Sequence, residues 1–337
     1  MPFKDILGHD REIGILKKAL ANDRLAHSFL FSGPDGCGKR LTAVSLAKSL
    51  NCSESKDDFC GTCQNCREIE NLSYTDVFLV EPRGPESKGA EVDYTGGTIK
   101  IDAVRDIQHR LAYKAIRGGK KVCIVNGAEK MNRDAQNAFL KTLEEPPSDS
   151  IIILIISDGA TLLPTILSRC QRINFRPLPR NILIEMIKQK LHASEDTSAL
   201  IASLSGGSIG KALGWDKELI LEQRKENIGR LMHLSLADPE KIFKAAEDIA
   251  KGDSPVELLE FLKIWYRDIA LLKERREDMI VNSDLLPLLK EHAKDQTLES
   301  LISGFKLINQ AQVDMMPPRY ANKQLTVENL LIQLSGS

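Results

Sequence analysis

Short apolar runs alternate with helix-period patterns over the first half of the chain, and helix-period patterns alone fill the second half. Strand-like runs fall at His27–Phe31, Val77–Val80, Lys121–Val125, Ile151–Ile156 and Arg172–Phe175. The run Ile151–Ile156 is apolar at every position, as a strand covered on both faces must be. Between the third and fourth runs, Met131, Ala135, Ala138, Phe139 and Leu143 share one side of a helix predicted over Asn132–Glu145. Pro146-Pro147 stops that helix. This alternation predicts an α/β domain with a parallel sheet and helices on both faces. The glycine- and charge-rich segment Arg83–Gly97 reads as a loop between a strand and a helix.

Pro177-Leu-Pro179 marks a boundary, after which the pattern is helical throughout. The expected division is an α/β domain over 1–178, a small helical domain over 179–215 and an all-α domain over 216–337. In the last, Ser254-Pro255-Val256-Glu257 has the order of a helix start, with Ser254 as cap and Glu257 completing a capping box. Leu258, Leu262, Trp265, Ile269 and Leu272 then form a stripe, and Leu298, Leu301, Phe305 and Ile308 form another. Both are read as core in preference to a partner surface.

Charge and composition change this picture little. The 337 residues carry 46 basic and 47 acidic side chains, which excludes a histone-like polycation and an acidic-tail protein. No apolar stretch is long enough to span a membrane, and Met1-Pro-Phe-Lys is neither a signal nor a transit peptide, so a cytoplasmic protein is expected. The seven cysteines all lie at or before Cys170 and are expected to be reduced.

The chemistry gathers in that first half. Gly33-Pro-Asp-Gly36-Cys-Gly38-Lys39 follows a strand and precedes a helix read over Leu41–Leu50, the spacing of a phosphate-binding loop. Glycines let successive N–H groups face one anion, and the lysine adds charge for the outer phosphates. The next residue of a working loop is Ser or Thr, whose hydroxyl holds Mg²⁺. Here it is Arg40, which repels a cation. The third strand should end in Asp, often followed by Glu, yet it runs into Asn126 and Gly127. Glu129 lies beyond the strand end and reads as a poor substitute. These losses predict a site that does not hydrolyse ATP with Mg²⁺.

Cys52, Cys60, Cys63 and Cys66 have the spacing C-x₇-C-x₂-C-x₂-C. Four thiolates can close a tetrahedron around one soft ion, for which structural Zn²⁺ is preferred over redox or iron–sulfur use. Cys37, Cys123 and Cys170 read as small buried residues. Arg110, Lys114, Arg117, Lys120 and Lys121 form a basic cluster, either a solvated face or a salt-sensitive contact for a DNA backbone.

The sequence resembles the clamp-loader branch of the AAA+ ATPases, as found in bacterial DNA polymerase III. The resemblance rests on Phe3-Lys-Asp-Ile-Leu-Gly8-His9, Leu25-Ala-His27-Ser-Phe-Leu-Phe31, the glycine loop, the cysteine cluster, Asn137-Ala-Phe-Leu-Lys-Thr-Leu-Glu-Glu-Pro-Pro147 and Ile166-Leu-Ser-Arg-Cys170. It implies an AAA+ domain over 1–178 with a zinc module at about 52–66, a helical lid and a helical collar. Motor subunits of the family carry Gly-Ser-x-Arg in the lid, where this chain has Gly207-Ser208-Ile209-Gly210. With Arg40, Asn126 and Gly127, this implies a non-motor member, set between gamma or tau on one side and delta on the other. The resemblance further implies that Arg169, otherwise an ordinary surface arginine, reaches a neighbour's ATP as an arginine finger. It also implies the sliding clamp and primed DNA as partners within a replisome at the nucleoid. The alternatives are an ATP-hydrolysing motor like gamma or tau, and a zinc-stabilised DNA-binding module outside replication.

Overall fold

The computed structural model describes residues 3–55, 58–82, 97–157, 162–215, 217–232, 234, 236–251, 255–294, 296–315 and 321–335. Residues 1–183 with 207–211 form one compact unit, and residues 184–206 with 212–337 form another. The elements run α1 (Asp10–Ala21), β1 (Ser28–Ser32), α2 (Lys39–Asn51), α3 (Gln64–Glu70), β2 (Val77–Val80), α4 (Ile101–Ala112), β3 (Lys121–Asn126), α5 (Arg133–Glu144), β4 (Ser150–Ile156), α6 (Pro164–Leu167) and β5 (Gln171–Asn174). Helices alone follow among the described residues: α7 (Arg180–Leu191), α8 (Glu195–Leu204), α9 (Ile209–Gly214), α10 (Lys217–Met232), α11 (Pro239–Lys251), α12 (Pro255–Lys273), α13 (Leu286–His292), α14 (Leu298–Met315) and α15 (Lys323–Ser335).

The five strands are all parallel, in the order β2-β3-β4-β1-β5. The expected α/β class is therefore observed, with each strand within one or two residues of its sequence reading. Strand β4 shows why its run is wholly apolar. Ile151, Ile153 and Ile155 face a core shared with Ala43, Leu46 and Ala47 of α2. Ile152, Leu154 and Ile156 face a second core with Val104 and Ile107 of α4 and Phe139 of α5. Helix α5 starts where Asn132 accepts a hydrogen bond from the Ala135 N–H at 2.9 Å, an N-cap that satisfies one orphan donor. Parallel strands bring their carboxyl ends to one edge, where ligands bind in sheets of this class. The glycine loop after β1, Glu81 after β2, Asn126 at the end of β3 and Ser157 after β4 all emerge there.

In the second unit Leu258, Leu262, Trp265 and Ile269 of α12 are buried with Leu301 and Ile308 of α14 and with Leu330 and Leu331 of α15. The stripe read on α12 is thus core. The stripe read on α14 divides: Leu301 and Ile308 are buried, whereas Leu298 is 40% and Phe305 41% exposed. The physical reason is that α14 is apolar around most of its girth. Leu298, Ile302, Phe305 and Val313 stay exposed while Leu301, Ile308, Ala311 and Met315 fill the core. The capping box read at Ser254 and the loop read from Arg83 to residue 96 lie outside the described residues. No helix among the described residues is long and apolar enough to cross a membrane.

Candidate functional site

The glycine loop has the curl its spacing requires. Gly33, Gly36 and Gly38 take φ values of +150°, +72° and +114°, conformations that side chains disfavour. Beneath it, buried His9 donates from Nε2 to the Cys37 carbonyl at 2.6 Å and sets its ring edge-on against Phe175. His9 therefore props the loop, a role its place in the Gly8-His9 motif did not disclose.

The chain's own groups occupy the loop's functional positions. The ammonium of buried Lys39 donates to the carbonyls of Gly33 at 2.5 Å and Pro34 at 2.7 Å. The Arg40 guanidinium lies 3.4 Å from the Glu81 carboxylate, and Asn126 Nδ2 donates to the same Glu81 oxygen at 2.6 Å. Arg40, at the start of α2, and Asn126, at the end of β3, are thus joined through one carboxylate. On the other side of the loop, Gly210 N–H donates to the Gly36 carbonyl at 2.9 Å. A Cβ added at Gly210 would stand 2.8 Å from Gly36 Cα, so a side chain there would have to displace the loop backbone.

A cavity of about 340 Å³ opens beside the loop, lined by Asp35, Glu81, Asn126, Glu129, Lys130 and Ser157 among others. Its charge is mostly negative, which disfavours phosphate. Glu129 accepts from Ser157 Oγ at 3.2 Å, and its second oxygen is buried with no partner among the described residues. The residue set aside on sequence grounds therefore lies at the cavity. Ser157 also bonds Asp35. Glu81 and Ser157 went unread because neither belongs to a local motif.

The four cysteines converge. Their sulfurs lie within 4.8 Å of one another, with Cys52 3.7 Å from Cys60 and 3.9 Å from Cys63. Tetrahedral zinc with bonds of about 2.3 Å places sulfurs about 3.8 Å apart, so the spacing fits a metal of that size. Backbone N–H groups of Cys60, Cys63 and Cys66 donate to the sulfurs of Cys52, Cys60 and Cys63 at 3.2–3.4 Å, and the Cys63 sulfur caps α3. Burial opposes ionisation of Cys63, but hydrogen bonds from Ser53 and Cys66 outweigh it and lower the thiol to about 6. Burial pushes the Cys66 thiol up. Buried Lys48 pairs with Glu70 beside the cluster and covers the Phe59 ring. Cys37, Cys123 and Cys170 are buried as read, and burial raises the Cys170 thiol to about 11.

Arg169 follows α6 and is held by its own domain. Its Nη2 meets Glu144 Oε1 at 2.5 Å, and its Nη1 donates to the Thr165 carbonyl at 2.9 Å. The basic cluster is largely self-neutralised: Arg110 pairs with Asp106, Arg117 with Glu68 and Lys120 with Asp149. Lys121 is buried and donates to the Arg110 carbonyl at 2.6 Å.

Residues 8–179 match the family described as DNA polymerase III, delta subunit, and residues 218–336 match DNA polymerase III, delta subunit, C terminal. The chain is 28% identical over 330 residues to DNA polymerase III subunit delta' of Bacillus subtilis, covering 96% of this chain and 95% of that protein. It is 35% identical over 219 residues to subunit delta' of Pseudomonas aeruginosa, 63% of each chain. It is 33% identical over 224 residues to subunit tau of Escherichia coli, 65% of this chain but only 33% of tau. The first family covers more than half the chain, its C-terminal counterpart covers most of the remainder, and one delta' protein aligns almost end to end: the chain belongs to the DNA polymerase III delta-subunit family, with its delta' members.

Proposed function

We propose that this chain is a non-motor clamp-loader subunit whose own nucleotide site is spent and which lends Arg169 to a neighbour. The observation that carries the reading is the Arg40–Glu81–Asn126 link: a guanidinium replaces the Mg²⁺-binding hydroxyl, and a neutral amide that has turned its nitrogen to Glu81 replaces the Mg²⁺-binding carboxylate. Lys39 bound to loop carbonyls and Gly210 seated on Gly36 support it. Without its own hydrolysis, the chain contributes through contacts. It binds the gamma or tau motor on one side and delta on the other, and the assembly opens the sliding clamp at primed DNA. Residues 179–215 serve as the lid and 216–337 as the collar. The exposed apolar residues of α14 suit a collar helix that meets another subunit. Cys52, Cys60, Cys63 and Cys66 hold one structural Zn²⁺, which closes the connection between α2 and α3.

Arg169 in this scheme stabilises charge on the neighbour's γ-phosphate, an effect of about 10³–10⁵ in rate where such fingers are measured. In a complex reconstituted with its motor subunits, Arg169→Ala should leave assembly intact and remove the turnover of the adjacent site. Undiminished ATP turnover in an intact complex would falsify the finger role. The partnerless Glu129 oxygen favours one second reading, a motor with a displaced carboxylate. Mg²⁺-dependent turnover by the isolated chain is the outcome that would establish it.

A further inference from the structure

The surroundings of Arg169 point to a second residue in its function. Its guanidinium touches two separate elements: the Glu144 carboxylate at the last residue of α5, and the Thr165 carbonyl and Ser168 hydroxyl of the α6 turn at 2.9 and 3.3 Å. These contacts use Nη1 and Nη2. The Nε–H has no partner among the described residues, so that edge can donate to an incoming oxygen. The arginine side chain is 34% exposed and Glu144 49%, which leaves the pair half in water.

We infer that Glu144 is a positioning residue for Arg169, holding the guanidinium in the orientation from which it meets a neighbour's phosphate. The inference rests on the finger reading of Arg169. An unrestrained arginine has several rotatable bonds, and each phosphate contact must first order them. Here the ordering is done before the phosphate arrives, as in other pre-organised catalytic groups. The hydrogen bond at 2.5 Å sets the orientation, while the charge attraction of this half-exposed pair is screened by water and competes little with an incoming polyanion. Its value is geometric: the carboxylate is the one polar contact from α5 among the described residues, and with Thr165 it fixes the plane of the guanidinium. Glu144 touches no substrate and acts only through Arg169.

The test uses the complete complex, assembled with its motor subunits and given ATP, clamp and primed DNA. Arg169→Ala first defines the Arg169-dependent share of turnover. Glu144→Ala should remove at least half of that share, and the double variant should lose no more than Arg169→Ala alone, since both changes act through one group. Glu144→Gln keeps the reach and an accepting oxygen and should retain most of the share. Glu144→Asp keeps the charge but is one methylene shorter, and should fall between Gln and Ala. The contrast of Gln with Asp remains decisive even where the alanine variant assembles poorly.

An unchanged Glu144→Ala complex would overturn the inference while leaving the finger intact. So would a double variant worse than Arg169→Ala, which would assign Glu144 a separate structural part, or Asp outperforming Gln, which would make charge the agent. Should Arg169→Ala itself change nothing, the finger reading and this inference fall together.

Discussion

At the scale of single residues, the glycine loop has the curl its spacing requires and an ion pair at the helix start beside it. Arg40 and Asn126 both bond the Glu81 carboxylate. That carboxylate is itself a good oxygen ligand, freed if its partners change. Arg40→Thr combined with Asn126→Asp would place a hydroxyl and two carboxylates around the vacated position. Affinity for ATP should then become Mg²⁺-dependent, with a gain of about tenfold or more, as one recovered charge interaction is worth about 1.4 kcal/mol. Hydrolysis should not rise with that affinity, because Gly127 offers no base. Titration with a non-hydrolysable ATP analogue, with and without Mg²⁺, measures both. Equal affinity with and without the metal would show that Glu81 is not the pivot. The motif and its departures were legible in the sequence because they sit at fixed offsets along one loop and one strand. Glu81 was not: it bonds a residue forty-five positions away, and no periodicity marks it. Gly210 was legible as a departure from the family's lid motif but not as a contact, since only the fold lays the backbone of Gly36 against it.

At the scale of elements, burial on both faces explains β4, and a sequence pattern can report that. Helix α14 shows where the pattern stops being informative. A stripe at spacing three and four says that a face is apolar, but not whether the apolar surface continues around the helix. Leu301 and Ile308 pack inward, while Ile302 remains 50% and Phe305 41% exposed. Replacing outward residues should therefore separate folding from assembly. Ile302→Asp with Phe305→Asp should change the stability of the isolated chain by no more than about 0.5 kcal/mol each, the range for surface sites. The same pair should weaken association with partner subunits by about tenfold or more, since charge in the centre of an apolar contact is strongly disfavoured. Thermal unfolding of the isolated chain and size-resolved assembly with its partners check the two halves. The cap at Asn132 gives a complementary case, where Asn132→Ala should cost about 1 kcal/mol of stability by orphaning the Ala135 N–H.

At the scale of the whole chain, the two compact units have separate cores, and the cysteine cluster belongs to only one of them. Cys63 and Cys66 are buried in the same core as Phe59, Ile69 and Leu46, so the cysteine cluster and the packing of α2 against α3 form together. In water the ligands must ionise and converge before an ion binds, which makes metal affinity part of folding free energy. The sulfur of Cys63 also caps α3, tying the helix start to the cluster. Removing the metal should therefore act on one unit. Cys60→Ser should lower zinc content from one ion per chain and shift unfolding of residues 1–183 to lower temperature. Unfolding of residues 212–337 should hardly move. A strong chelator should reproduce the shift in the parent chain and do nothing further to the variant. Amide exchange resolved along the sequence, read with and without chelator, distinguishes the units: loss of protection confined to α2, α3 and their strands is the expected result. Equal loss in α12 and α14 would mean that the cluster supports the chain as one cooperative body. Unchanged metal content in Cys60→Ser would mean that these four sulfurs, although correctly spaced, do not share an ion.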